Sequence, residues 1–286
     1  MKVDAITGKR REELTLEQKF WVGTGTVIKG LKPLLLYLCI PALLMCVGML
    51  LFGGRSAEDI ADTSSNFYYT LGIIVTVIVL HRRSKKNGST LWADTTLGYQ
   101  ELAWKRLLLL VGTGLGFAVF CSAVITIIPF PDSLIESYHN SSDGLRNGTD
   151  QLLAICSTIL LAPVAEEIVF RGYMLGRFLS WFTEKEAIIL SAVIFALCHI
   201  SLLWMIYACF MGILLAWVSI REDNIAYSIA LHIGFNISVV PIKLINENEA
   251  WKSVVFGDSF RIALLGVAAL GLGLLAFEQY RREELL

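Results

Sequence analysis

LLAPVAEEIVFRGYMLG, residues 160–176, sets two adjacent carboxylates, Glu166 and Glu167, and the guanidinium of Arg171 inside an apolar run. The surroundings of that run decide the fold. The chain has 286 residues, 55% of them hydrophobic and 17% charged, with a mean hydropathy of +0.63. Soluble domains carry about a quarter charged residues, so the composition excludes one and specifies an all-α polytopic membrane helix bundle. A lipid-exposed charge near the bilayer centre costs about 2.5–3.5 kcal/mol. The three charges of the run must therefore face protein or water.

A helix needs about 20 mostly apolar residues to span the hydrocarbon, and the sequence offers eight such segments, at about 33–54, 66–80, 105–128, 151–170, 186–203, 204–220, 225–242 and 260–277. With both termini cytoplasmic, 19 of the 24 Lys and Arg residues fall on the inner side and five (Arg55, Arg146, Lys243, Lys252 and Arg261) on the outer, as the positive-inside rule requires. The chain divides accordingly into a cytoplasmic arm (1–30), N-terminal spans with outer loops (31–150), a core (151–242) and a last span with a cytoplasmic tail (243–286). No apolar h-region precedes residue 33, so no cleavable secretion signal is expected. The expected location is the cell (plasma) membrane, multi-pass. All six cysteines lie in apolar runs without disulfide or CxxC spacing and read as small hydrophobes. Asn140 and Asn147 stand in N-x-S/T sequons of the second outer loop. Nothing in the charge distribution points to nucleic acid.

Within the core the polar residues separate by role. Glu167 and Arg171 are four apart, in the favourable order for a pair on one helix face, so a structural ion pair accounts for both. Glu166 is rotated by about 100° from Glu167 and stays outside that pair. FALCH (195–199) and HIGFN (232–236) add His199, His232 and Asn236. At 1.5 Å per residue, Glu166 and His232 fall in the inner half of the bilayer and His199 about 18 Å from the inner surface. A free carboxylate, two imidazoles and an amide are a working set for hydrolysis: a base for water, groups that position water or protonate a leaving amine, and a donor for an oxyanion.

These motifs, in this order and within residues 152–241, resemble the EExxxR, FxxxH and HxxxN motifs of the CAAX-prenyl-protease and bacteriocin-processing family. The resemblance implies an intramembrane glutamic endopeptidase in which Glu166 and His199 activate water and His232 and Asn236 form an oxyanion site, with Glu167 and Arg171 in support. Its substrate would be a membrane-embedded or membrane-associated peptide or protein, met within the lipid bilayer. No cofactor is expected. Two His and a Glu could bind a divalent metal such as zinc, but no HExxH places two of them on one helix. Serine and aspartyl intramembrane proteases are set aside, since GxSxG is absent and Gly257-Asp258 lacks the GxGD context. The alternative is a membrane immunity or scaffold protein that keeps the fold and binds a peptide, as in bacteriocin self-immunity.

Overall fold

The computed structural model describes residues 11–51, 57–96, 102–143 and 151–284. No strand occurs among them. A 3-10 turn at Arg11–Glu13 leads into α1 (Leu16–Leu51), followed by α2 (Ala57–Lys86), the short α3 (Leu91–Asp94), α4 (Trp104–Ile127) and α5 (Asp132–Asp143). Residues 151–179 then run as one rod in five pieces: α6 (Gln151–Cys156), a π turn (Ser157–Leu161), α7 (Ala162–Glu167), a longer π segment (Ile168–Leu175) and α8 (Gly176–Leu179). After it come α9 (Glu184–Leu197), α10 (Leu202–Glu222), α11 (Ile225–Asn236), α12 (Val239–Glu247), α13 (Glu249–Phe256) and α14 (Ser259–Glu284).

Helix is present at all eight expected segments, and among the described residues six stretches are individually long and apolar enough to cross a membrane. The two that are not are α2 and α9. At 14 residues, α9 is only about 21 Å long, against about 30 Å of hydrocarbon. The protein is a multi-pass membrane protein. Three boundaries differ from the sequence reading. Helix begins at Leu16, so the second half of the expected arm is continuous with the first span. Arg11 is fixed by Glu186 (3.2 Å) and lies 5.6 Å from the Trp181 ring centroid. The polar stretch after Ala57 is helix and not loop, because it contains no Gly or Pro to stop one. α9 ends at Leu197, short of the expected 203. Residues 1–10 and Asn147 lie outside the described residues, as does the side chain of Asn140.

Local signals place the core helices. Thr183 and Glu186 form a capping box that starts α9, and Asn224 accepts from Ala226 N (2.9 Å) to start α11. In the rod, Pro163 has no N–H to give to Ile159 and its ring crowds that carbonyl. The preceding turn widens, so that the N–H of Ala162 reaches back to Ser157 O. Two apolar clusters meet on α10. One surrounds the rod, with Val169, Phe170, Met174 and Phe178 against Leu34, Ile73, Ala187, Phe195, Ala208 and Ala216. The other joins Leu107 and Leu110 of α4 to Met211, Leu215, Leu231 and Tyr280.

α4 and α11 run parallel and very close: a Cβ on Gly114 would collide with Leu231 O, and one on Gly234 with Val111 O. α4 and α14 run antiparallel, with Lys105 bonded to Glu283 (2.7 Å) at one end. Beside it, Glu222 pairs with Arg106 and accepts from Tyr280 OH (2.6 Å). These senses suit alternating crossings. For a chain with eight crossings and both ends inside, reporter fusions after Ile60, Asn140 and Asn248 should read outside, and those after Lys85, Glu222 and Glu283 inside. An inside reading at Asn140 would break the span count.

Candidate active site

The site is built on α7, between the two π turns. Glu167 is fully buried. Its Oε1 accepts from Arg171 Nη1 (2.9 Å) and from the Nδ1–H of His232 (3.0 Å). Arg171, 2% exposed, also donates from Nη2 to Gly212 O (3.2 Å). The expected Glu167–Arg171 pair is therefore present, and it does a second thing: it fixes the orientation of the His232 ring. With Nδ1–H committed to Glu167, Nε2 is turned toward Glu166, 3.7 Å from Oε2. That gap is too wide for a direct hydrogen bond. Reacting groups often stand this far apart before substrate arrives.

Glu166 is less isolated than its place in the sequence suggests. Its Oε1 accepts from Tyr37 OH (3.0 Å), and the Tyr37 hydroxyl is 3.2 Å from that of Tyr69. Both tyrosines come from the N-terminal helix pair, which the sequence reading left out of the site. α1 and α2 meet tightly here, since a Cβ on Gly72 would come within 2.6 Å of Pro41 Cβ.

His199 is beyond the end of α9, in the turn to α10, and not on a helical face. Its Nδ1–H donates to Phe195 O (3.0 Å), which leaves Nε2 as an acceptor. Phe195 explains the spacing of its motif. Its ring packs edge-on to both imidazoles, at 5.0 Å from His199 and 5.8 Å from His232. The Arg171 guanidinium lies 4.6 Å from the same centroid, within cation–π reach. Trp204 closes the other side of His199 (5.5 Å). Asn236 donates from Nδ2 to Thr158 O (2.8 Å), on the carbonyl side of the first π turn. The neighbouring Ser157 hydroxyl is 2.6 Å from that of Thr70 on α2. Glu166, Glu167, Arg171 and His232 thus form one connected set, His199 joins it through Phe195, and Asn236 ties α11 to the rod.

Residues 84–94, between the second and third expected spans, are folded against the same rod. Asp94 accepts from Ser84 Oγ (2.5 Å) and Ser89 Oγ (2.6 Å), and Ser84 Oγ is 2.7 Å from Tyr173 OH. Residues 97–101 lie outside the described residues. No three His, Cys, Asp or Glu side chains among the described residues are grouped as a metal site. The Nε2 atoms of both histidines are left uncommitted by their Nδ1 bonds, but with Glu166 they do not form such a group.

A buried Glu–Arg–His set thus stands beside a second carboxylate on the apolar helices of a membrane protein. Residues 148–238 match the family described as Type II CAAX prenyl endopeptidase Rce1-like. The chain is also similar to the UPF0177 protein YxdF of Lactococcus lactis subsp. lactis (strain IL1403), with 26% identity over 137 residues, 46% of this chain and 75% of that protein. No solved structure matches at a comparable level. The resemblance to the CAAX-prenyl-protease family is thus borne out across the segment that holds all six expected residues. The segment is similar, at the level of the family, to CAAX-protease-like membrane endopeptidases.

Proposed function

We propose that the protein hydrolyses peptide bonds of a membrane-associated peptide or protein, with Glu166 as general base. The observation that carries this reading is the opposition of Glu166 Oε2 and His232 Nε2 across 3.7 Å. Glu167 and Arg171 hold the imidazole in place from behind. Glu166 takes a proton from water as the oxygen attacks the scissile carbonyl, then returns it to the departing amine nitrogen. His199, with Nε2 free, assists that transfer. His232, protonated on Nε2 with its counter-charge on Glu167, donates to the oxyanion, and Asn236 supplies a second donor through the Nδ2 hydrogen not used on Thr158. No step requires a metal.

Released peptides compared between cells carrying the wild type and Glu166→Ala should differ, with products present only in the wild type. Identical pools would favour the peptide-binding, immunity-type reading. Metal dependence has its own measurement, which is elemental analysis beside activity. Chelator-washed enzyme should keep its rate, and Asn236→Ala should lose about 10²–10³ in rate while retaining measurable activity. One tightly held zinc per chain, lost with activity in both His199→Ala and His232→Ala, would replace the water mechanism with a metal one.

A further inference from the structure

Glu166 has two oxygens, and both accept only while the group is ionised. They stand in different surroundings. Oε2 faces His232 Nε2, whereas Oε1 receives the Tyr37 hydroxyl at 3.0 Å, backed by Tyr69 at 3.2 Å. A phenol has one hydrogen to give. If Tyr37 spends it on Glu166, its own oxygen is left to accept from Tyr69, so the three groups form a directed chain from Tyr69 through Tyr37 to the carboxylate. A proton arriving on Oε1 would meet a hydrogen already lying between the same two oxygens. One arriving on Oε2 meets no hydrogen bond, since His232 Nε2 stands 3.7 Å away.

We infer that Tyr37, oriented by Tyr69, is a positioning residue that occupies Oε1 of Glu166 and so makes Oε2, the oxygen beside His232, the one that exchanges protons in the reaction. The inference rests on the reading of Glu166 as general base. It makes α1 and α2 part of the working centre although both lie outside residues 148–238, the segment that matches the family. The placement of Tyr37 follows from local chain chemistry. Pro41, four residues on, cannot donate to the Tyr37 carbonyl, and Gly72 lets α2 close onto that turn, which brings Tyr69 into reach. Both hydroxyls would otherwise be polar groups facing apolar surroundings without a partner. Glu166 and the tyrosine pair meet each other's needs.

The test uses the full-length protein in lipid nanodiscs and two readouts. The first is infrared spectroscopy of the carboxyl stretches that vanish in Glu166→Gln, which identifies them as those of Glu166. The second is cleavage of a fluorogenic peptide ending in a farnesylated tetrapeptide. Tyr37→Phe, which keeps the ring, should move the Glu166 band, with a smaller movement in Tyr69→Phe. It should leave the melting temperature in place and lower kcat by about tenfold to a hundredfold at unchanged KM, as expected for a lost hydrogen bond to a charged group. An unmoved band in Tyr37→Phe overturns the inference whatever the activity. A moved band with kcat intact overturns it too. Full cleavage by Glu166→Gln would remove the general base and this inference with it, and a band that still moved would then locate the fault in the functional reading and not in the contact.

Discussion

Glu166→Gln should abolish peptide hydrolysis, with a loss of at least the 10²–10⁴ that a positioned acid–base group contributes, and should leave the amount of folded protein unchanged. The reason lies in what the substitution preserves. The amide keeps the length and planarity of the side chain, and its oxygen can still accept from the Tyr37 hydroxyl that Oε1 accepts from at 3.0 Å. The ion pair of Glu167 with Arg171, and the grip of Glu167 on His232, involve no atom of residue 166. Only the capacity to take a proton is lost. Single-turnover hydrolysis measured beside the yield of monodisperse protein checks both halves. Wild-type rate at wild-type yield would withdraw the catalytic assignment and put the peptide-binding reading in its place.

Arg171→Ala should have the opposite signature, a loss of folded protein. Both partners of the pair are out of contact with solvent, at 0% side-chain exposure, and removing one leaves a buried charge uncompensated, at about 3–5 kcal/mol. Gly212 O loses a donor and the Phe195 ring loses a cation at the same time. The yield of monodisperse protein and its melting temperature should both fall sharply. The double variant Glu167→Gln with Arg171→Met removes charge from both sides and should recover most of that yield, yet remain a poor enzyme, because nothing then anchors His232 as a carboxylate does. Wild-type stability in Arg171→Ala would mean that the pair is not a buried pair in the membrane.

The difference between these two variants could be read in the sequence, because a charge in an apolar run has few places to go and the i,i+4 spacing assigns a partner to Glu167 alone. What the sequence hid was the partner of Glu166. Tyr37 is 129 positions away, and a tyrosine in an apolar helix carries no mark of its contacts. Thr70 and Ser157 were hidden for the same reason. The end of α9 was hidden differently. CHISLL, residues 198–203, contains neither Pro nor Gly, and apolar periodicity runs on through it. The break comes from Ser201, extended at φ −87° and ψ 135°, which begins α10. This is why His199, expected on a helical face, sits in a turn and reaches the centre through Phe195. The π turns had one legible sign, Pro163, and the longer of them had none. Of the architecture, the eight helical segments and their polar core were legible. The bending of the N-terminal pair onto that core was not.

The rod that carries Glu166 and Glu167 has a history written in its pitch. A π turn holds one residue more than the α turn it replaces, because its hydrogen bonds close over five residues and not four. Here such turns lie on both sides of α7. A codon lost within 157–161 or 172–175 can therefore be absorbed by converting the π turn to an α turn, without a loop. The same change inside the six residues of α7 would swing the residues on either side of it by about 100° relative to one another, and one at 168–170 would break the four-residue spacing that pairs Glu167 with Arg171. Lineages descended from this chain are thus free to lose a single residue in the middle of a buried helix, a place where length is ordinarily inherited unchanged, so long as residues 162–171 keep their count.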